Sequence, residues 1–431
     1  MDKPQTWKQT ASRKHSLRNE RLKPYMVSDL DQRLPQVHDV QERSQVVFED
    51  ALTQARALDR AFQETGHLKG PLHGVPVTLK DQFNIKGVDT TLGYWAETDN
   101  PLWGLTVNPR DPRLTPGGST GGEAALLALH GTLLGFGTDI GGRVPVSTEG
   151  QEHVPSSIGP MARDLASIVY VSRSVADAKP WELDPKCTPL PWNEDTFQEI
   201  QIRPIVVGLI LDDGVVRIHP PIERALRELS AKLQAKGHEV VIWDALDHFE
   251  YIQLMDQYYT VDGGEDIRRD IAVAGEPFIP HVEALVNRSK AISVYEYWQL
   301  NKQKVALQKR YLDKWNAIRS PSGRPVDILL APTTPHPAVP HRRLRWVGYT
   351  KIWNLLDYPA VTFPVDEVRV AVDGVLKTYQ PRNELDAWNW DLYDVKAMEG
   401  HPINVQVIGK KLNEEKVLGA ATVIERIWRG L

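Results

Sequence analysis

Three short segments of the chain combine residue types that can do chemistry. The first is Gly74-Val-Pro-Val-Thr-Leu-Lys80-Asp81, an apolar run that ends in a lone lysine. The second is Gly117-Gly118-Ser119-Thr120-Gly121-Gly122-Glu123, and the third is Gly137-Thr138-Asp139-Ile140-Gly141-Gly142. Glycines at a helix start let backbone N–H groups approach a ligand closely and aim at negative charge. A second Gly-Gly at a strand end can form an anion nest. A lysine beside a serine hydroxyl can act as a base once burial lowers its pKa. Each feature also has a plainer reading. A strand-end lysine is usually solvated or ion-paired, and an isolated Gly-Ser-Thr-Gly run is usually a flexible turn. The run is not a nucleotide phosphate loop, because no Gly-Lys-Ser/Thr follows at the required spacing.

The elements that must position these residues are legible in the periodicity. Val47, Ala51, Ala55, Leu58 and Phe62 share one helical face, with Gly66 as a stop. The run from Gly74 to Lys80 predicts a short buried strand. Gly121 to His130 predicts a small-residue helix, with Thr120 and Glu123 at capping-box spacing. Thr132 to Gly137 predicts a buried strand, whereas residues 143–160 show no clear period. Ile205–Leu211, a helix with Ile222, Ala225, Leu226, Leu229 and Leu233 on one stripe and Gly237 as its stop, and Val240–Trp243 predict a parallel crossover. Residues 251–320 read as mostly helical. Ile328–Ala331 and Val405–Ile408 read as strands, and residues 413–428 as the last helix. Strands alternating with helices argue for α/β. Residues 1–45 read as an N-terminal arm and residues 46–431 as one domain.

Composition excludes several classes. The 431 residues are 41% hydrophobic and 25% charged, as in a soluble globular protein, and the formal net charge is -5. Nothing there points to nucleic acid or to an anionic membrane surface. Cys187 is the single cysteine, so an intrachain disulfide is impossible and a thiolate metal site is not expected. The N-terminal residues lack a secretory h-region, and no run of about 18 apolar residues predicts a membrane span. The expectation is a cytoplasmic protein. No His-Glu-x-x-His or metal-spaced cluster occurs among the 13 histidines, so no metal is expected. His73 and His130 read as helix-end or core-edge histidines, Asp262-Gly-Gly-Glu265 as a turn, and Arg268, Arg269 and Asp270 as a solvated helix face.

In combination, the three segments resemble the core of the amidase signature family. That core runs from a lysine-bearing strand through Gly-Gly-Ser-Ser-Gly-Gly-Glu, a small-residue helix and a strand to Gly-Thr-Asp-Ile-Gly-Gly-Ser. Gly117 to Gly142 follows this order without a gap. Further stretches are similar to the fungal acetamidase branch: Gly70-Pro-Leu-His-Gly74, Thr106-Val-Asn-Pro109, Gly150-Gln-Glu152, Gly275-Glu-Pro277, Ala331-Pro-Thr-Thr-Pro335, Asn354-Leu-Leu-Asp357 and Val405-Gln-Val-Ile-Gly409. The resemblance covers nearly everything from about residue 45 onward. It implies an α/β fold with a mixed central sheet flanked by helices. It implies a cofactor-free hydrolase that cleaves the C–N bond of a small linear carboxamide. The implied machinery is a triad of a nucleophilic serine, a serine in a cis peptide, and a lysine. By this resemblance Lys80 is the general base and Ser119 the bridging serine. Thr120 stands for the second serine of the pair, beside a supporting Asp139. The backbone N–H groups of Ile140, Gly141 and Gly142 form the oxyanion hole. The expected partner is a small-molecule amide, with no nucleic acid and no membrane.

The chain departs from that pattern where the nucleophile should stand. Arg143 follows Gly142 directly, and Arg143-Val-Pro-Val-Ser147-Thr-Glu-Gly150 resembles family sequence well downstream of the serine. Aligning Arg143-Val-Pro just after the nucleophile instead moves the gap by a few residues and still removes the serine. Ser147 reads as a loop serine. Comparable losses fall between about Trp95 and Asn100 and before Val46. Such clean losses resemble altered splicing or a gene-model choice more than gradual drift. The sequence therefore predicts missing strands and impaired hydrolysis, with a non-catalytic amidase-like protein as the alternative.

Overall fold

The computed structural model describes residues 7–22, 47–83, 85, 86, 88, 90, 98–100, 103–139, 153, 154, 156–374 and 379–431. The first helix is α1 (Trp7–Leu22), a polar element whose His15 ring stacks on Trp103 at 5.3 Å. Helix α2 (Phe48–Thr65) ends at Gly66, which takes a left-handed conformation at φ 70° and donates its N–H to the Phe62 carbonyl. That geometry is the common glycine helix stop. The apolar stripe expected on α2 is present, but no residue of the helix is buried.

Three strands make a small mixed sheet. Strand β1 (Val77–Leu79) lies beside β4 (Leu134–Asp139), and β4 lies beside β5 (Ser157–Ala162). The β1–β4 pair is parallel and the β4–β5 pair antiparallel. Between them in sequence come the two-residue strands β2 (Asp99–Asn100) and β3 (Gly104–Leu105), which pair with each other, and helix α3 (Gly121–Ala128). Helix α3 packs on β4 and β5, and α4 (Leu165–Asp177) packs on β5. Strand β5 falls in a stretch whose sequence shows no period, because Ser157-Ile-Gly-Pro-Met-Ala162 alternates neither size nor polarity cleanly.

Beyond α5 (Glu194–Ile202) comes the main sheet. Strands β6 (Val206–Leu209) and β7 (Glu239–Ile242) flank α6 (Pro220–Ala235) and pair in parallel, as the crossover reading requires. Helices α7 (His248–Tyr258), α8 (Glu265–Ala274), α9 (Pro280–Val286) and α10 (Val294–Ala317) follow. The sheet is completed by β8 (Ile328–Pro332), β9 (Ala360–Glu367) and β10 (Pro402–Ile408), in the order β7-β6-β8-β10-β9. Helices α11 (Gly348–Leu356), α12 (Glu384–Asp391) and α13 (Glu414–Arg429) are interleaved with these last strands. Strand β8 is parallel to β6 but antiparallel to β10, so the sheet is mixed. Strands β6 and β8 are buried along their whole length, as strands covered on both faces are. The large apolar core is centred here, with α6 and α13 packed against the sheet.

The expected mixed architecture is thus present, divided among the described residues into more than one sheet. Three local expectations fail. Strand β1 is not buried: Val77 and Leu79 are 39% and 41% exposed. Among the described residues only β4 pairs with it. The Thr120–Glu123 capping box does not form. The Thr120 hydroxyl donates across to the Thr138 carbonyl at 3.3 Å, and the Glu123 carboxylate accepts the Thr78 hydroxyl. Arg268 is a clamp rather than a solvated residue. Its guanidinium donates to the Gly263 and Val286 carbonyls at 2.5 and 2.7 Å and to Asn287 Oδ1 at 2.8 Å. The Asp262 turn does form, with Gly263 and Gly264 at φ 69° and 79°.

Two expected outcomes follow from this packing. Exposed apolar strand edges favour association. Purified protein should self-associate with rising concentration in sedimentation velocity, and a Val77→Thr/Leu79→Thr variant should do so less. Identical monomeric behaviour of both proteins up to high concentration would contradict this.

The second outcome concerns acid. Burial holds the imidazole of His219 down to about 4 and those of His248 and His336 down to about 3. Between pH 6.5 and those values the unfolded chain takes up protons that the folded chain refuses, so stability falls as pH falls through that window. At about 1.4 kcal/mol per pH unit, each histidine costs ~2 kcal/mol or more by pH 4.5. Three such costs rival a typical total stability of about 5–15 kcal/mol. The acid unfolding midpoint followed by near-UV circular dichroism should lie above pH 4. A cooperative melt unchanged down to pH 3.5 would refute the assignment.

Candidate active site

The small sheet positions the lysine. In the β1–β4 register Val77, Thr78 and Leu79 face Leu134, Gly135 and Phe136. The ladder continues one step, since the Lys80 N–H donates to the Phe136 carbonyl at 3.0 Å. Lys80 therefore leaves the strand end beside Gly137 and Thr138, and it is buried although β1 itself is not.

A second element brings the serine to it. Thr115 N–H donates to the Val339 carbonyl at 2.8 Å, and Gly117 N–H donates to the Thr115 hydroxyl at 3.1 Å. These contacts fix the loop ahead of α3. Gly117 has φ 89° and the Gly118–Ser119 peptide is cis. Thr98 clamps the turn from outside: its hydroxyl donates to the Ser119 carbonyl at 3.2 Å and accepts the Gly121 N–H at 2.8 Å. Gly137 permits the close approach of α3 to β4. A Cβ there would lie 2.7 Å from Thr120 Cγ2 and 3.0 Å from Met161 Sδ.

At the meeting point the Lys80 ammonium donates to Ser119 Oγ at 2.6 Å and to Thr138 Oγ1 at 2.7 Å. The Thr138 hydroxyl donates to Gln82 Oε1 at 2.6 Å, which leaves its oxygen as an acceptor toward the lysine. Burial pushes the Lys80 amine down from 10.5 to about 8, and the Asp139 carboxylate draws it part of the way back up. At pH 7 roughly a tenth of the lysine is then the free amine, against well under a thousandth at the ordinary value. That fraction can take a proton from Ser119. Nearby, burial raises the Glu123 carboxyl above its usual range while the Thr78 hydroxyl donates to it, tying α3 to β1.

The structure thus brings Lys80 and Ser119 together and seats Thr120 against Thr138. Asp139 ends β4 within electrostatic reach of the lysine. Ile140, Gly141, Gly142, Arg143 and Ser147 lie outside the described residues. His130, just past the end of α3, contacts Arg163, whereas His73 lies in a turn rather than at a helix end and accepts the Lys69 N–H at 3.0 Å. Thr98, Gln82 and the hydroxyl of Thr138 also belong to the site, and the motifs alone do not single them out. Thr138 sits inside a quoted motif, and a hydroxyl flanking a buried lysine was the available signal.

Comparison with known proteins agrees with this architecture. The model of the amidase family matches residues 27–97, 92–150 and 142–418. The chain belongs to the amidase signature family, whose members hydrolyse amides. Among curated proteins it is 49% identical to Amidase 1 of Gibberella moniliformis over 445 residues, covering 89% of this chain and 85% of that protein. It is 34% identical to the acetamidase of Emericella nidulans over 442 residues, covering 88% and 81% respectively. Among solved structures, a fatty acid amide hydrolase superposes with a TM-score of 0.82 at 25% identity, covering 98% of this chain and 85% of that one. A bacterial aryl acylamidase shares the fold at a TM-score of 0.67 and 19% identity, covering 98% and 96%.

The lowered lysine makes a direct expectation. In competitive labelling with acetic anhydride, read by mass spectrometry, the reactivity of Lys80 should rise with a midpoint near pH 8. A midpoint near 10.5 would mean that the amine is solvated.

Proposed function

We propose that this chain retains the proton-transfer arm of an amidase for small linear carboxamides and that its hydrolysis is impaired because the attacking hydroxyl is absent. The observation that carries this reading is the 2.6 Å contact between Lys80 Nζ and Ser119 Oγ beside a second, acceptor-oriented hydroxyl.

In the complete reaction, the free amine of Lys80 takes the proton of Ser119 while Ser119 takes that of the nucleophilic serine. The nucleophile attacks the amide carbon, and the N–H groups of Ile140, Gly141 and Gly142 hold the oxyanion. The proton returns through Ser119 to the leaving nitrogen, which departs as ammonia or an amine. Water then releases the carboxylate by the same proton route. No cofactor takes part. Thr120 anchors the serine loop, and Asp139 keeps the lysine from losing its charge altogether.

Two findings support the impairment. The family match breaks into segments that meet at residues 92–97 and 142–150, where the sequence reading places its gaps. The alignment with Amidase 1 runs over 445 positions, more than the 431 residues of this chain, so the relative has residues opposite gaps here. With Arg143 after Gly142, base, relay and anion hole have no attacking atom to serve. Loss of the nucleophile from such a unit removes about a million-fold in rate.

Ammonia release from acetamide and larger primary amides should stay at background, and serine-directed fluorophosphonates should not label the protein. Arg143→Ser alone should not restore turnover, because the lost strand also placed the nucleophile. Inserting the Amidase 1 residues that face the gap should restore it. Turnover by the unaltered chain that disappears in Lys80→Ala would overturn the reading and assign the attack to Ser119 or Ser147.

A further inference from the structure

A cavity of about 490 Å³ opens between α7, α9, the segment 342–345 and α11, with Trp388 at its side. Five cations line it, Arg288, Arg342, Arg343, Arg345 and Lys351, against one carboxylate, Asp256. That bias stands out in a chain whose net charge is -5. Asp256 is already engaged by Lys351 and lies 3.8 Å from Arg288. Arg342 donates to Asp99 Oδ2 at 2.9 Å. Arg343 and Arg345 are exposed, and among the described residues neither is paired with a carboxylate. The Arg345 guanidinium lies 5.9 Å from the centre of the Trp388 ring. Tyr259, Val282 and Trp388 are buried apolar surfaces of the same cavity.

We propose that this cavity binds an organic acid, with its carboxylate held by Arg343 and Arg345 and an aromatic or branched body against Tyr259, Val282 and Trp388. Arginine forks match carboxylates in a way that a solvated lysine does not. A volume of this size suits a small molecule and is too small for a polymer. Low-dielectric walls concentrate the field of the two unneutralised arginines on whatever enters. The cavity also has a mechanical link to the serine loop. Arg342 holds Asp99, the neighbour of Thr98, and Thr98 clamps Ser119 and Gly121. The proposal goes beyond amide cleavage and does not require it.

Binding is read directly by isothermal titration of the full chain with benzoate, benzamide, acetate and inorganic phosphate at low and high salt. Benzoate should bind saturably and weaken at least tenfold in 0.5 M NaCl or in an Arg343→Ala/Arg345→Ala variant, with circular dichroism confirming that the variant is folded. Benzamide, acetate and phosphate should each bind at least tenfold more weakly than benzoate. Benzamide binding equal to benzoate would remove the charge requirement. Equal acetate or phosphate binding would remove the apolar one. Benzoate affinity within twofold in the double variant would remove the two arginines. Each of these three results overturns the proposal.

Discussion

The described part of the site depends on a single physical constraint: an ammonium group taken out of water and given hydroxyl oxygens in place of a carboxylate. A carboxylate in direct contact would have held Lys80 fully charged, whereas Ser119 and Thr138 solvate the cation while burial lowers it to about 8, so that a minor fraction is free amine at neutral pH. Several features serve that balance. The parallel pairing of β1 with β4 sets the lysine at a strand end, and Gln82 fixes the direction of the Thr138 proton. The glycine at 137 lets α3 come close enough for Ser119 to reach.

The same placement has a stability cost with a definite sign. Between about pH 8 and 10.5 the unfolded chain holds the lysine proton more tightly than the folded chain does, so Lys80 destabilises the protein below that window and stops doing so above it. The buried histidines act in the same sense at lower pH, and His336 has no partner for either ring nitrogen among the described residues. A fold with a large apolar core around β6, β8 and β10 can carry such costs. Strand β1 and helix α2, neither of which has a buried residue, contribute little to offset them. The reactive lysine thus sits on the thinner part of the molecule, and the main core bears the stability.

What the sequence made legible follows from which residues act locally. Lys80 and Ser119 were readable because a lone lysine after an apolar run and a serine amid glycines are unusual in a chain that must bury its polar groups. The crossover from β6 to β7 was readable because α6 carries its apolar stripe in a single period. Strand β5 was not, since its partners and not its own residues make it a strand. The capping box failed for a related reason. Thr120 and Glu123 have the right spacing, but both are drawn to the sheet by Thr138 and Thr78. A local rule lost to tertiary contacts that spacing does not encode. The arginine-lined cavity was illegible because its walls come from segments more than a hundred residues apart, between Asp256 and Trp388.

These features also bear on two distinct properties of an amidase. Recognition of a ligand requires a shaped, charged or apolar wall, while turnover requires one more atom at one place. The walls of the cavity between α7, α9 and α11 come wholly from the part of the chain that the family match covers without a break, residues 142–418. Binding surfaces supported by the main core are therefore built from other residues than those that hold Lys80 and Ser119. A path of contacts runs from Arg342 through Asp99 and Thr98 to the Ser119 backbone.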